Sequence, residues 1–339
     1  MQTQNSDIMF DELYAIGPGS DYGNAIWHDF DIVNNSKLFP YVIGTNNVFL
    51  KLLHHIHFSF ALNKNFDLPF QSVWKRLYSL ENVEFDDNKH YLVLFPDVSA
   101  CRVDTKYLSY LQKKDNICLV LYIINTMERK TRLVLDRIRF FDVVFSFNEH
   151  DAQKYGFTFW EAVYSKQDAL ENNDIKSDFF FAGTATENRI KLLRQIKELC
   201  DQKGLVCDFH LNGVQKKDIA DDGIAYNKPI SYSEVLQRTL STRCIVEILA
   251  IRGHCGYTMR TAEAVCYNKK LVTNNEDIKE SIFYDPQKIN YFETIDDIDL
   301  ESLAKKEPID YMYQNEFSPL NLLKSNEIRQ WIDAHGKDE

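Results

Sequence analysis

The sequence predicts an α/β protein of two domains, each built on a mostly parallel β-sheet. Its 339 residues exceed what a single hydrophobic core usually organises. Short, almost continuous apolar runs alternate with helical patterns in both halves of the chain, and a polar stretch separates the halves. We therefore assign residues 1–165 to an N-terminal domain, 166–177 to a linker and 178–339 to a C-terminal domain that ends in helices.

Composition is that of a globular protein with an acidic surface. Hydrophobic residues make up 45% and charged residues 26%, and Lys plus Arg number 39 against 50 Asp plus Glu, a net charge of −11. Such a surface repels phosphate backbones, so we expect no nucleic-acid partner, although a few basic side chains in a cleft suffice for one diphosphate.

The number and spacing of the cysteines and the first residues of the sequence indicate in which cellular compartment the protein is expected. The 7 cysteines are odd in number and form no C-x-x-C pair, so neither disulfides nor a zinc site is expected, and a reducing cytoplasm fits best. The first residues lack a basic start followed by an apolar run, so no secretory signal is expected. The most apolar run, residues 117–124, is too short to cross a bilayer and indicates a buried strand.

The N-terminal half shows regular alternation only from residue 89 onwards. Before it, we predict a strand at 12–16 and an apolar helix at 47–62, and the rest is unassigned. That helix carries three histidines, which are metal ligands or, as is more typical of an apolar helix, packing residues: His54, His55 and His57. The later predicted elements are strands at 91–95, 117–124 and 143–147 and helices at 105–113 and 129–140.

The C-terminal half repeats the alternation. We predict strands at 178–182, 205–211, 244–250 and 270–273, and helices at 187–202, at 234–240 and after Gly256. A glycine-containing turn at Gly256 opens a helix that leads into a buried strand, so unpaired backbone amides and a positive helix end lie at the carboxyl edge of the sheet, where anions bind well.

Arg260 and Glu263 are three residues apart on this helix and share a face. A guanidinium there could bind a diphosphate while the carboxylate accepts hydrogen bonds from two ribose hydroxyls. Together these contacts are what the binding of a nucleoside diphosphate requires. The alternative is that the two side chains pair with each other on a solvated helix.

The stretch Gly-x-x-x-Arg-Thr-x-Glu-Ala at 256–264, followed by Lys-Lys-Leu-Val-Thr-Asn-Asn at 269–275, resembles the donor-site helix and strand of GT-B glycosyltransferases. The likeness is greatest to enzymes that build capsule, O-antigen and lipopolysaccharide, and it extends over residues 142–164 and 178–290. This resemblance implies two Rossmann-like domains that face each other across a cleft. The C-terminal domain would hold the donor and the N-terminal domain the acceptor.

The resemblance also implies roles for single residues. Glu263 would hold the nucleotide ribose, and the loops that contact the diphosphate and complete the donor site comprise Gly183, Thr184, Arg189, Gly256, Tyr257, Thr258 and Arg260. Many retaining members carry a second glutamate eight residues before the ribose glutamate, in contact with the transferred sugar. Cys255 stands there in this chain, so neither retention of configuration nor the donor sugar is inferred.

An inverting transfer needs a base for the acceptor hydroxyl. Asp97 follows the strand at 91–95 and would face the cleft, and Asp21 in the glycine-rich loop 17–23 is the second candidate; either could instead be a turn or cap carboxylate. That loop departs from a dinucleotide fingerprint, because its third glycine comes one residue late and no acidic residue follows at the required distance. It either lines the acceptor side of the cleft or is a plain turn.

Glu247 lies within the apolar strand predicted at 244–250. Buried there, it would need a partner such as Arg or Lys near the donor loop. The alternative is a surface residue at the strand end.

The predicted function is transfer of a sugar from a nucleotide-sugar to a glycan or lipid-linked glycan in bacterial surface polysaccharide synthesis. We expect no cofactor and no metal, with the helix dipole and arginine neutralising the leaving diphosphate, because the paired aspartates fall in polar segments: Asp221, Asp222, Asp296, Asp297 and Asp299. The resemblance implies a cytoplasmic protein in peripheral contact with the inner face of the membrane. The alternatives are a non-catalytic nucleotide-binding or assembly protein and, more remotely, a dehydrogenase.

Overall fold

The computed structural model describes residues 10–127, 131–167, 174–249 and 256–335. The chain forms two compact units. The first comprises Met1–Ser165 together with Phe317–Glu339, and the second comprises Lys166–Glu316. Both are α/β units on parallel sheets, as the sequence predicts.

The first unit has a six-stranded sheet in the order β2-β1-β3-β4-β5-β6, and every neighbouring pair is parallel. Its strands are β1 (Glu12–Ile16), β2 (Ser36–Phe39), β3 (Tyr91–Pro96), β4 (Ile117–Ile123), β5 (Val143–Ser146) and β6 (Thr158–Phe159). All residues of β3 and β4 are buried, which explains their uninterrupted apolar sequence.

Helices of the first unit connect these strands: α1 (Asp21–Ile26), α2 (Asp29–Ile32), α3 (Val48–His57), α4 (Asp97–Ala100), α5 (Thr105–Gln112), α6 (Thr131–Ile138) and α7 (Glu149–Tyr155). Two 3-10 turns, Gln71–Leu77 and Ser79–Asn82, precede β3. The helix predicted at 47–62 ends at His57, so α3 is shorter than expected. The elements α1, α2 and β2 have 4 to 6 residues each and were not predicted, because so few residues show no clear periodicity.

The second unit has a six-stranded parallel sheet in the order β12-β11-β10-β7-β8-β9. Its strands are β7 (Ser177–Thr184), β8 (Cys207–Asn212), β9 (Ala225–Tyr226), β10 (Thr242–Glu247), β11 (Lys270–Thr273) and β12 (Ile289–Tyr291). Its helices are α8 (Glu187–Gln202), α9 (Tyr232–Leu240), α10 (Met259–Cys266) and α11 (Leu300–Ala304). The strand predicted at 244–250 ends at Glu247, and Ala250 lies outside the described residues.

The last segment of the chain returns to the first unit. It contains the helix α12 (Asn326–His335), whose Trp331 ring stacks on Phe10 at 5.7 Å between centroids. The Ser318 hydroxyl donates to the buried Asp29 carboxylate. The sequence pattern predicts that residues up to 339 belong to the C-terminal domain. This prediction is wrong for residues 317–339, which belong to the first unit. A helical pattern predicts a buried face without saying which of two cores receives it.

Candidate functional site

The sheet of the second unit changes direction at β7. From this strand the chain runs to β8 and β9 on one side, then returns to β10 and continues to β11 and β12 on the other. Ligands of open parallel sheets bind outside the carboxyl ends of the strands at such a switch point. The candidate site is therefore built by the ends of β7 and β10 and the start of α10.

Arg189 joins two of these segments. It lies in the first turn of α8, and its Nε donates to the Ile248 carbonyl at 2.7 Å while Nη1 donates to the Thr184 carbonyl at 3.0 Å. A Cβ on Gly183 would lie 3.0 Å from the Phe181 ring and 3.7 Å from Nη1 of Arg189, so glycine leaves room for this close packing. Gly183, Thr184 and Arg189 thus lie together, where the resemblance implies a diphosphate.

The loop before α10 is held by side chains that follow β11. The Gly256 amide donates to Asp277 at 3.0 Å, and the Asn275 side-chain amide donates to the Gly256 carbonyl at 2.8 Å. Tyr257 is buried, and Thr258 caps the helix by accepting from the Arg260 amide at 3.0 Å. The start of α10 therefore has a defined position at the carboxyl edge of the sheet, where the positive end of a helix favours an anion. Cys255, before this loop, lies outside the described residues.

Arg260 and Glu263 contact each other, as their spacing suggests. Arg260 donates to the Glu263 carboxylate through Nη1 and to the Ala182 carbonyl at 3.0 Å through Nη2. The other carboxylate oxygen of Glu263 accepts from the Tyr232 hydroxyl at 3.1 Å. This pairing is the alternative to a role in binding the nucleotide-sugar. The pair does not lie on a solvated helix face, however, because Glu263 is 0% exposed and the Arg260 side chain 17%. In this conformation Glu263 positions Arg260 and does not face solvent.

Glu247 has different partners from those predicted. It is buried and accepts hydrogen bonds from three threonine hydroxyls, those of Thr258, Thr261 (3.0 Å) and Thr273. Among the described residues Glu247 has no Arg or Lys partner, and the alternative of a surface residue is wrong because Glu247 is buried. The threonines lie on α10 and at the end of β11, so one carboxylate at the end of β10 holds the start of α10 against two strands.

Sequence reasoning missed Tyr232 and Asn274. Asn274 follows β11, accepts from the Leu249 amide at 2.8 Å and is only 5% exposed. Within the part of the chain that the structure describes, its Nδ2 has no hydrogen-bond partner, so a buried donor remains at the edge where the candidate site lies. The signal was present, since Asn274 directly follows a strand predicted at 270–273.

A cavity of about 760 Å³ lies beside the loop after β7. Its walls come from the start of α8 and the loop after β8 and include Thr186, Lys191, Arg194 and Gly213. This volume is within the range of small-molecule sites.

The first unit has its own switch point between β1 and β3, with a cavity of about 690 Å³ at the carboxyl edge. The glycine-rich loop lines it. Gly19 has φ +84°, and a Cβ there would lie 2.3 Å from the Tyr41 ring, so the loop requires glycine at this position. Arg102 holds the loop by donating to the Pro18 carbonyl at 2.7 Å, and its guanidinium carbon lies 5.4 Å from the centre of the Tyr41 ring.

The two candidate bases are placed differently. Asp97 begins α4 directly after β3, as predicted, but it is 1% exposed and accepts from the Asn125 amide at 3.2 Å. Asn125 lines the cavity, and Asp97 lies behind it. Asp21 is exposed in the first turn of α1, outside the cavity wall.

His54 and His57 of α3 are packing residues, whereas His55 is exposed and lines the cavity of the first unit. His54 is buried, donates through Nε2 to the Arg102 carbonyl at 3.1 Å and accepts at Nδ1 from the Tyr41 hydroxyl at 3.2 Å. Burial lowers the pKa of His54 to about 3. His57 accepts from the Trp74 indole at 2.9 Å. Among the described residues, no group of three or more His, Cys, Asp or Glu is arranged to hold a metal ion.

Within the described ranges, no helix is both long and apolar enough to span a bilayer.

Two α/β units on parallel sheets, with candidate sites at the switch points, define the class of the fold: the chain has the GT-B fold of nucleotide-sugar glycosyltransferases. Among solved structures, it is similar to an α-glucosyltransferase in complex with UDP and a 13-mer DNA containing a central A:G mismatch. The identity is 11%, the match covers 96% of this chain and 98% of the other, and the TM-score is 0.50.

Other solved structures match over most of their length. The lipopolysaccharide outer core galactosyltransferase WaaB in its apo form has 11% identity, coverage of 95% and 99%, and a TM-score of 0.44. A putative UDP-N-acetylglucosamine 2-epimerase from Listeria monocytogenes has 8% identity, coverage of 92% and 93%, and a TM-score of 0.44. No protein-family model and no curated protein matches the sequence.

Proposed function

We propose that the chain is a glycosyltransferase that moves a sugar from a nucleotide-sugar donor to a glycan or glycolipid acceptor in bacterial surface polysaccharide synthesis. The observation that carries this proposal is the convergence of the loop after β7, the end of β10 and the start of α10 at one switch point, with Arg189 and Arg260 reaching into it. The pathway rests on the sequence resemblance of residues 256–275.

The donor diphosphate would bind at the start of α10. Backbone amides and the positive helix end attract its charge, and Arg260 lies in the first turn of this helix. As the glycosidic bond breaks, negative charge accumulates on the departing diphosphate, and an oriented guanidinium stabilises it without a metal ion. When Arg260 turns towards the diphosphate, Glu263 and Tyr232 become available to the ribose hydroxyls.

The acceptor would bind in the cavity of the first unit. Its hydroxyl must lose a proton as it attacks the anomeric carbon if the transfer inverts configuration. Asp97 is our first candidate for the base, because it hydrogen-bonds Asn125 of the cavity wall, and Asp21 is the second. A cytoplasmic location is part of the proposal, and it rests on a cysteine pattern that does not suggest a disulfide framework.

The test begins with a thermal-shift screen of UDP-, GDP-, dTDP- and CMP-sugars. A donor at a hundred times its Kd stabilises the folded state by about 2.7 kcal/mol. We expect one class to raise Tm, and release of free nucleotide when a glycan or glycolipid acceptor is added. A screen in which no nucleotide-sugar raises Tm would contradict the proposal.

A nucleotide-binding protein without turnover is the second candidate. It is favoured by the burial of the first candidate base, since Asp97 is only 1% exposed. This candidate predicts a thermal shift with the nucleotide alone and no release of sugar with any acceptor.

A further inference from the structure

Helix α3 turns its apolar face to solvent. Its exposed residues are Val48 (78%), Phe49 (64%), Leu52 (53%), Leu53 (39%) and Ile56 (47%). These positions recur every three to four residues and so form one face of a helix. A surface helix ordinarily packs such a face on the core, so the orientation is the reverse of the usual one.

The polar side of α3 holds it in this orientation. His54 is fully buried against Phe58 and Trp74, with both ring nitrogens hydrogen-bonded. His57 accepts from Trp74 and donates to the Pro69 carbonyl at 2.9 Å. The helix cannot roll its apolar side inwards without breaking these contacts.

The exposed apolar side chains continue beyond the helix. They comprise Phe60 (41%), Leu62 (51%), Phe66 (64%), Phe70 (78%) and Val73 (64%), and we call the exposed side chains from 48 to 73 the apolar surface. Phe70 has φ +64°, a left-handed conformation that is rare for a bulky residue. The backbone thus holds an aromatic ring in solvent at a cost in strain, which is typical of functional positions.

The segment that carries the apolar surface has an excess of basic residues. Residues 48–76 contain four basic residues, Lys51, Lys64, Lys75 and Arg76, against one acidic residue, Asp67, a net charge of +3 in a chain of net charge −11. The Asp67 carboxylate contacts the guanidinium groups of Arg132 and Arg137 at 3.2 and 3.4 Å, so it does not offset the lysines. This segment is therefore basic and apolar within a chain that is acidic as a whole.

We propose that the apolar surface docks on an anionic lipid bilayer. Exposed aromatic and aliphatic side chains would enter the boundary between headgroups and acyl chains, and the basic residues around them would meet lipid phosphates. A second copy that presents the same surface is a poorer occupant, because it would bring like charge against like charge. The surface adjoins the 690 Å³ cavity, since Val48, Lys51 and Leu52 belong to its wall as well.

Co-sedimentation of the full chain with vesicles tests the proposal. We expect binding to vesicles of phosphatidylcholine and phosphatidylglycerol in equal parts, weak binding to phosphatidylcholine alone, and loss of binding at high salt. Phe49→Ser with Phe70→Asn should reduce binding about tenfold or more. The matched control is Ile282→Asn, which removes a side chain that is 78% exposed on the second unit and should leave binding unchanged.

Phe70→Asn by itself separates docking from folding. Asparagine tolerates the left-handed conformation, so this variant should keep or raise Tm while it weakens vesicle binding. Lys64→Glu with Arg76→Glu should abolish the preference for anionic vesicles. The exposed pair Lys216→Glu with Lys228→Glu on the second unit carries the same charge change and should retain that preference.

Equal binding to neutral and anionic vesicles, or unchanged binding by the Phe49 and Phe70 variants, would overturn the proposal. A concentration-dependent dimer that the same variants dissolve, without vesicle binding, would identify a second copy as the occupant. These measurements involve no donor and no turnover, so their outcome is independent of the proposed transferase function.

Discussion

Glu247 shows how one buried carboxylate positions a site that it does not enter. Three hydroxyls, from Thr258, Thr261 and Thr273, donate to it, and Thr258 is also the cap of α10. The position of the first turn of α10 therefore depends on a charge at the end of β10.

Glu247→Ala should lower the free energy of unfolding by about 3 kcal/mol or more, since it leaves two buried hydroxyls and a half-buried one without an acceptor. Glu247→Gln should cost less, because the amide keeps one acceptor oxygen and the hydroxyls can rotate to accept. Urea unfolding measures both. Glu301→Ala is the control: this exposed carboxylate pairs with Lys203 at the surface and should change stability by less than about 1 kcal/mol.

Arg260→Ala should be destabilising by about 3–5 kcal/mol, because it leaves Glu263 buried without its charged partner. Adding Glu263→Gln should restore most of this loss, as measured by urea unfolding. With the donor identified, the stable double variant should still turn over about a hundredfold to a thousandfold more slowly, since the guanidinium beside the diphosphate is gone. Near-normal turnover in the double variant would reduce the pair to a structural role.

His54 should make stability depend on pH. Its pKa is about 3 in the folded protein against 6.5 ordinarily, so between these values the unfolded chain binds a proton that the folded chain does not. The contribution of neutral His54 to the free energy of unfolding is complete above pH 6.5. It should fall by about 1.4 kcal/mol per pH unit as the pH decreases towards 3, because the unfolded chain then takes up a proton that the folded chain does not. Urea unfolding at pH 4.5 and 7 should show a shallower dependence in His54→Asn.

Among the helices and strands, those whose bounds could be predicted from sequence are long or wholly buried. The strands β3, β4 and β11 and the helix α8 are long or wholly buried, and their patterns gave bounds within about one residue of those observed. The short elements between β1 and α3 depend on tertiary contacts instead. For α3 the sequence predicts an apolar helix, but that pattern does not say which side faces inwards, and here the side that carries His54 does.

The candidate site was predictable in part for a related reason. Arg260 and Glu263 are neighbours by local spacing, so their contact could be expected from sequence. The hydroxyl donors of Glu247 come from a helix and from another strand, 11 to 26 positions away along the chain. Contacts between residues so far apart produce no periodic pattern in the sequence, so these partners could not be predicted.

The loop after β1 gives a test at this scale. Gly19→Ala should destabilise clearly more than Gly204→Ala, which makes a matched comparison. Both glycines have positive φ, but a Cβ at Gly204 meets nothing within 4 Å, whereas at Gly19 it meets the Tyr41 ring. We expect about 1 kcal/mol for Gly204→Ala from backbone strain and a further 1–3 kcal/mol at Gly19 from overpacking. Equal losses in denaturant unfolding would show that the loop moves freely away from Tyr41.

For the whole molecule, the two units differ in continuity. The second is one uninterrupted segment, while the first needs residues 317–339 from beyond it. Local patterns could not predict this return, because the contacts of Ser318 with Asp29 and of Trp331 with Phe10 join residues about 300 positions apart.

Trp331→Ala should therefore weaken the first unit and spare the second. Trp331 is 8% exposed, and removal of a buried tryptophan side chain costs about 3–5 kcal/mol. Amide hydrogen exchange followed by mass spectrometry should show lost protection in β1 to β5 and unchanged protection in β7 to β11. The reverse pattern is expected for Leu303→Ala, which opens the core of the second unit. Protection lost equally in both units would mean that they unfold as one.

The return of the last segment sets an order of events on the ribosome. Nascent domains usually fold in the order in which they emerge, at about 5–20 residues per second. Here the unit that emerges first lacks α12 and the partner of Asp29 until almost the entire polypeptide has been translated. The second unit can close its core earlier, although it is encoded later. During that interval the incomplete first unit exposes the apolar surface on which Trp331 later packs. We therefore expect a ribosome-bound chaperone to bind the N-terminal part of the nascent chain and not its middle.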